Sequence, residues 1–514
     1  MNMLETNLVL LLASHLDEAE LKTKSITKTA NAWKTSTLLL CAQDKLEIRA
    51  FLRPYLQSEE DEDGSEIQTG PKASAEPLKL WFAKRREEGD PMESRVRSNA
   101  MRAIIAKLVT EGGAEVYDSR VRHALKQTAS DLELNWNTDI APMENVLFAE
   151  RVDRMKLQGE SEAPQRKLSE SGAWSPLRVA QVVTAGVVGG TVIGITGGAA
   201  APIIAPVLAS LFAVTTTAAV SVGIISGVFG IMGAGLASYK MSDRTNRTLT
   251  EFEILDCNLR DAPVCINVLI GVSGYYPADR IEDRLQQYWA EASNSSGEFD
   301  CKRNVFAVKF ESQAICNYSY TVSEMLRSQA ISYTSSELLK FVVGATIMLP
   351  ISLMNYLDVI NNSFAVCVSK SYAAGVELAT ALQSRYQGYR PITLCGFGFG
   401  ALVIFHCLER LADLEAAGIV ENAVLACCPI RAGKHRWAKA QTIVAGSIYN
   451  CYAPLDWSLQ VVMRATVSLD PIAGVQPITE VSGIVNVKID TTHAKLGMDN
   501  GELEIKRLLQ TLNI

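Results

Sequence analysis

The stretch Leu394-Cys395-Gly396-Phe397-Gly398-Phe399-Gly400-Ala401-Leu402 carries an apolar strand into an apolar helix through three glycines at alternate positions. A strand that hands the chain to a helix this abruptly needs residues that permit a tight bend, which glycine supplies. Two bland or rival readings compete. A dinucleotide loop also sets glycines between strand and helix, with pyrophosphate held at the helix N-terminus. Its strict G-x-G-x-x-G form is absent, because position 401 is alanine. No acid ends a later strand at a suitable distance either, since Asp413 and Glu415 fall on the following helix. A bend with no chemistry is the other reading, and the surroundings decide between them.

Working outward, apolar runs at 264–271, 304–310, 391–395, 422–428, 442–451 and 486–489 predict strands. Helical patterns fill 319–330, 372–386, 401–416 and 503–512. Short continuous apolar strands separated by helices call for an α/β fold, a mostly parallel sheet covered on both faces. In that setting the glycine turn occupies the place where an α/β-hydrolase carries G-x-S-x-G, the strand-to-helix elbow that raises a nucleophilic serine above the sheet. The outer glycines, Gly396 and Gly400, fit. The central position is Gly398, which has no atom with which to attack.

A hydrolase places its acid after a later strand and its histidine after the last one. Asp456 follows the strand expected to end at Cys451, and His493 the strand expected to end at Ile489. A carboxylate-oriented imidazole is the usual activator of a weak nucleophile. The turn Gly271-Val272-Ser273-Gly274-Tyr275, with the backbone N–H of Phe399, is the expected oxyanion element. Singly, Asp456 or His493 reads as a surface or packing residue; their order and strand-end positions make the joint case. No substitute nucleophile presents itself: Cys395 precedes the turn, Ser273 lies in the oxyanion loop, and Ser447 is expected mid-strand.

These residues resemble the family of transmembrane and coiled-coil domain-containing protein 4, membrane proteins with an α/β-hydrolase-like domain (domain of unknown function 726). The marks are Val188-Gly189-Gly190-Thr191-Val192, Thr196 through Pro202, Gly235 through Met241, Val272-Ser273-Gly274-Tyr275, Ala307 through Ser312, Arg390 through Leu394, Val444 through Tyr452, and Asp456-Trp457. The resemblance covers roughly 175–514. The family elbow reads G-F-S-L-G-A, so its serine falls on Gly398, its acid on Asp456 and its histidine on His493. The resemblance therefore implies a hydrolase-like domain that keeps two members of a triad and lacks the third.

Upstream of this domain (252–514), residues 179–239 form a run of 61 without a charge. About 20 apolar residues span a bilayer, so 178–240 is expected to form a transmembrane hairpin. Gly186, Gly190, Gly194 and Gly198 recur every four residues. In water each would weaken a helix by roughly 1 kcal/mol, but in lipid they permit close helix packing. A buried glycine-rich helix pair is the soluble alternative. Lys167 and Arg178 before it, with Lys240, Arg244 and Arg247 after, favour a hairpin whose flanks and α/β domain face the cytosol. Residues 1–157 are expected to form a helical accessory domain with a disordered insert at 58–76, followed by a linker at 158–177.

The 49 Lys plus Arg against 56 Asp plus Glu give no electrostatic reason to expect nucleic acid. Mean hydropathy is +0.10. Eleven cysteines form no CxxC pair or Cys/His cluster at zinc spacing, so neither metal nor cofactor is expected. The chain lacks the basic start and cleavage site of a signal peptide. The reading is a multi-pass membrane protein that binds lipid through 179–239. Its α/β domain holds a lipid, acyl compound or protein partner, with hydrolysis by an Asp456–His493-activated water as the alternative.

Overall fold

Charge and amphipathic patterning divide the structure into a helical unit and a sheet-based unit. The computed structural model describes residues 2–23, 93–110, 117–161, 249–258, 264–276, 281–293, 303–330, 351–456, 471–497 and 501–514, with isolated positions between 34 and 41 and at 459, 460 and 463. The insert expected at 58–76 and the hairpin expected at 178–240 lie outside them. Among the described residues no helix is long and apolar enough to cross a membrane.

The helical unit contains α1 (Asn2–Thr23), α2 (Glu93–Thr110), α3 (Ser119–Asp131) and α4 (Ala141–Ser161). Leu8, Leu12, Leu16, Ile105, Leu108, Val121, Leu125 and Ile140 form its own core. Helix α3 starts where Asp118 accepts the N–H groups of Arg120 and Val121, a carboxylate N-cap. The helix α4 runs to Ser161, so the expected linker begins at least four residues later than its sequence suggested.

The second unit is mixed α/β, with seven strands: β1 (Phe252–Asp256), β2 (Val268–Val272), β3 (Asn304–Phe310), β4 (Ile392–Phe397), β5 (Val420–Ala426), β6 (Ile448–Tyr452) and β7 (Ile484–Lys488). They lie in the order β1-β3-β2-β4-β5-β6-β7. Strand β1 runs antiparallel to β3 and every other pairing is parallel. All five residues of β2 are buried, whereas β7, at the edge, exposes Val485, Asn486 and Lys488. Polar and charged edge residues discourage pairing with another chain.

Between and after the strands come α5 (Ile281–Ser293), α6 (Ser312–Ala330), α7 (Ile351–Gln383), α8 (Phe399–Asp413), α9 (Lys434–Ile443), α10 (His493–Leu496) and α11 (Gly501–Thr511). Helix α8 is apolar around most of its circumference, and eleven of its fifteen residues are buried. A helix of that kind belongs inside a core. From β2 the chain moves outward to β3, then returns across β2 to β4 and continues in the opposite direction. The strand order therefore reverses between β2 and β4, and ligands of open α/β sheets bind beyond the carboxyl ends of strands at such a point.

The two units are joined by buried charge. Arg122 on α3 donates from Nε and Nη2 to Glu144, and from Nη1 to Glu421 of β5 at 2.5 Å. Lys126 reaches the other oxygen of Glu421 at 2.5 Å, and Tyr117 donates to Glu144 at 2.6 Å. Burial pushes the Glu421 carboxyl up, but Arg122 and Lys126 outweigh it and hold it at about 2.

The structure corrects several expected boundaries. The run expected as a strand over 442–451 is the end of α9, a bend and then β6, so Ser447 precedes the strand. Trp437, Ala440 and Ile443 are buried at intervals of three, a helical spacing that continues into the apolar run and disguises its start. Helix α7 begins at Ile351, well before the expected 372, because the polar Asn361-Asn362-Ser363 interrupts its apolar pattern without ending the helix. Strand β2 begins at Val268; upstream, the amide of Cys265 pairs with the Asn304 side chain instead of a ladder partner.

Candidate functional site

At the reversal point, β2 and β4 lie side by side, with Gly271 opposite Cys395 and Val272 opposite Gly396. Strand β4 ends at Phe397, and Gly398 turns the chain with φ 55° and ψ −125°. Its N–H donates to the Ala426 carbonyl at 2.9 Å and its own carbonyl accepts the Leu402 N–H at 3.1 Å. One residue thus ties the turn to the neighbouring strand and to the first turn of α8. The positive φ is a conformation that favours glycine and strains any L side chain.

The other glycines are required by close approach. A Cβ on Gly400 would lie 1.9 Å from the Val272 carbonyl oxygen. One on Gly274 would lie 2.2 Å from both the Phe399 amide nitrogen and the Phe397 carbonyl oxygen. Gly274, in the loop after β2, and the Phe399 N–H, the first after the turn, are therefore brought together. Gly396, Gly398, Gly400, Phe399, Ser273 and Gly274 are all buried.

Aromatic rings brace both sides. Phe397 stacks on Trp289 of α5, with centroids 6.4 Å apart, and Tyr288 is 5.9 Å from it. On the other side the Phe399 ring meets Tyr318 of α6 edge-on at 4.8 Å and Phe364 of α7 at 5.3 Å. The Trp289 indole N–H donates to the Ser273 hydroxyl at 3.0 Å. Tyr275 donates to the Ser319 carbonyl at 3.0 Å, and Ser319 in turn accepts the Tyr276 N–H at 3.2 Å. The loop after β2 is thus pinned from α5 and α6. The sequence singled out none of Trp289, Tyr318 and Ser319; a helical reading of 281–293, where Leu285, Trp289 and Ala292 share a buried face, was the available signal for the first.

Asp456 lies beyond β6 and is fully buried. Its Oδ1 accepts the Leu459 N–H at 3.1 Å, and its carbonyl accepts the Gln460 N–H at 3.1 Å. An aspartate that accepts an N–H three residues on makes the kind of bond an N-cap makes, a structural role compatible with a chemical one. Burial first, and then the Asp456 charge, push the Tyr318 phenol and the Cys427 thiol well above their ordinary values. The carboxylate thus faces α6 and the end of β5, the strand that receives the Gly398 N–H.

His493 opens α10, directly after β7. This short helix packs against α6, and its Leu496 carbonyl accepts the Tyr288 hydroxyl at 2.6 Å. Gly497 rests on Tyr275, where a Cβ would come within 2.5 Å of the tyrosine Cβ. The backbone of the His493 helix is therefore moored to the walls of the elbow. The imidazole itself lies outside the described residues; the structure brings Gly274 against Phe399 beside Gly398, and sets Asp456 close enough to Tyr318 and Cys427 for its charge to act on both.

Side chains that offer an attacking atom nearby are poorly suited to it. Burial raises the Cys395 thiol to about 12, and Ser273 accepts the Trp289 donor while buried. Cys427 holds φ 49° at the end of β5 and is fully buried. Among the described residues no group of three or more His, Cys, Asp or Glu is arranged to hold a metal ion.

Residues 177–514 match the family described as a protein of unknown function, DUF726. The chain belongs to that family. A curated relative, an uncharacterized membrane protein of Caenorhabditis elegans, is 29% identical over 80% of this chain and 65% of its own length. The transmembrane and coiled-coil domain-containing protein STS1 of Oryza sativa is 31% identical over 73% of this chain and 58% of its own. A Saccharomyces cerevisiae protein named probable lipase MIL1 is 29% identical over 58% of this chain and 26% of its own length. The chain thus spans less than two-thirds of these relatives. No solved structure matches it.

Proposed function

We propose that the protein is a membrane-associated α/β-hydrolase-like binding protein, a pseudohydrolase that holds a lipid or acyl compound without cleaving it. Gly398 carries the reading. It occupies the elbow's central position in the backbone conformation a nucleophile would need, and it offers no side chain. The amide of Phe399 beside Gly274 is the proposed oxyanion element, able to grip a carbonyl oxygen of an acyl ligand. Asp456 and His493 are the proposed remnants of the proton-transfer pair, with nothing to activate. The lipase name carried by the yeast relative supports an acyl ligand. The relatives named as membrane proteins, together with the uncharged segment 179–239, support a hairpin anchor with the α/β domain on the cytosolic side.

The test uses purified full-length protein, short- and long-chain nitrophenyl esters, and a fluorescent fluorophosphonate. The expected result is no labelling, and no ester turnover beyond that of the His493→Ala protein. Turnover by the wild type that disappears in His493→Ala would overturn the reading in favour of an Asp456–His493-activated water.

A further inference from the structure

A small cavity lies where the helical unit meets the amino ends of the strands, at the far end of β4 from the glycine turn. Val109 of α2, Tyr117, Phe148 of α4 and Ile266, just before β2, give it largely apolar walls, and Arg390, just before β4, lines it beside them. Arg151 of α4 also lines it, with Nη1 on the Val109 carbonyl at 3.1 Å. The cavity measures about 10 Å³, the space of a single water-sized particle.

Arg390 is 1% exposed, and its guanidinium bonds only to neutral oxygens. Nε donates to the Gln387 carbonyl at 3.0 Å, and Nη1 to the Cys265 carbonyl at 3.0 Å and the Asn304 side-chain oxygen at 2.7 Å. Nη2 is buried and has no hydrogen-bond partner among the described residues. Burial lowers the group to about 10, with Cys265 and Asp256 opposing, so it stays cationic near neutral pH. Asp256, on β1, is not bonded to it: its Oδ1 accepts the backbone and side-chain N–H groups of Asn258. Glu144, which accepts the Tyr117 hydroxyl, is taken up by Arg122.

We propose that this cavity is a halide site, in which a chloride ion accepts the Nη2 hydrogens of Arg390. A water molecule would satisfy those hydrogens but leave a buried charge without a charged partner, which is costly. A bond from a guanidinium to an anion is roughly twice as strong as a neutral one. The volume admits a monatomic anion little larger than water and excludes carboxylates, sulfate and phosphate. Val109, Phe148 and Ile266 offer only hydrocarbon, which a chloride ion, less strongly hydrated than those oxyanions, tolerates best. Because Val109, Tyr117 and Phe148 belong to the helical unit and Ile266 and Arg390 to the sheet unit, the ion braces the junction between them. The site stands apart from the glycine turn, so its failure would leave the pseudohydrolase reading untouched.

The full-length protein in detergent is melted in sodium gluconate, with chloride, bromide or iodide replacing gluconate at constant ionic strength. Chlorine NMR line widths on the same samples report binding directly. Chloride at about ten times its Kd should raise the midpoint by about 3–6 °C. Bromide should act similarly and should narrow the chlorine line by displacing chloride; iodide, which overfills the space, should do less. Arg390→Gln should lose the halide response. That substitution also gives up the bonds to Gln387, Cys265 and Asn304, so Val109→Ile, which adds a methylene to the cavity wall and keeps Arg390, is the second variant and should weaken the response. Arg507→Gln, at an exposed residue paired with Glu504 and outside the cavity, should respond as the wild type does. Equal midpoints in chloride and gluconate without chlorine line broadening would overturn the proposal in favour of a bound water. A response undiminished in a folded Arg390→Gln or Val109→Ile protein would overturn it too. Should neither variant fold, the wild-type series decides: displacement by bromide and a weaker iodide effect support the site, and equal effects of all three halides contradict it.

Discussion

Replacing Gly398 with alanine forces an L side chain into φ 55°, ψ −125°. A residue held in such a region costs roughly 1–3 kcal/mol. Against this, a Gly→Ala change returns about 0.4–1 kcal/mol by reducing the freedom of the unfolded chain. The net loss is about 1–2 kcal/mol. For a domain of this size each kcal/mol shifts the midpoint by roughly 2–4 °C, so Gly398→Ala should melt about 2–8 °C lower. Gly398→Ser should behave similarly, because the strain lies in the backbone. Gly433→Ala is the internal control: its φ is −66° and an added Cβ would meet nothing within 4 Å. That variant should melt at or slightly above the wild type. Thermal unfolding of the full-length protein, followed by near-ultraviolet circular dichroism, makes the comparison. A Gly398→Ala protein as stable as Gly433→Ala would refute the claim that the turn is held in a conformation that strains an L side chain.

Glu421→Gln should destabilise the junction by about 3–5 kcal/mol, the usual cost of stranding buried partners, and hydrogen exchange in α3 should accelerate. Acid should loosen the same junction. Burial, reinforced by Lys22 and Lys126 and opposed by Glu421, lowers the His123 imidazole from 6.5 to about 4. The unfolded chain therefore binds the extra proton between about 6.5 and 4, and stability is lost as pH falls through that window, by up to about 3 kcal/mol; urea midpoints measured across it should fall accordingly. Trp289→Phe removes the donor to Ser273 and should cost about 1–2 kcal/mol, read by the same denaturation. Gly400→Ala, whose Cβ would overlap the Val272 carbonyl, should lower the yield of folded protein more than Gly398→Ala does.

The turn was legible in the sequence because its glycines serve separable demands, and Gly396, Gly398 and Gly400 fall within one stretch of nine residues. Gly398 answers a dihedral requirement, Gly400 a contact with the neighbouring strand, and Gly274 a contact with the elbow itself. The close contacts at Gly400 and Gly274 exclude any larger residue, and the positive φ at Gly398 favours glycine, so the three mark the chain. The parallel sheet was legible for a related reason: strands buried on both faces read as unbroken apolar runs, as β2 does, and as β3 does between Asn304 and Lys309. The same property hid α9, where an apolar helix end runs on toward β6 through only four residues. The aromatic bracing by Trp289, Tyr318 and Phe364 was not legible, because rings from three helices meet only once the sheet has brought those helices together. Asp456 was singled out by its place after β6, yet its bond to the Leu459 N–H shows that position alone does not separate a structural carboxylate from a chemical one.

The central claim, that the turn at 396–400 is a nucleophile elbow lacking only its nucleophile, is tested most directly by fluorophosphonate labelling of Gly398→Ser in the full-length protein. The account predicts that the folded variant becomes labelled where the wild type is not, and that His493→Ala in the same background removes the labelling. A folded Gly398→Ser protein that remains unlabelled, or one labelled equally well without His493, would contradict it.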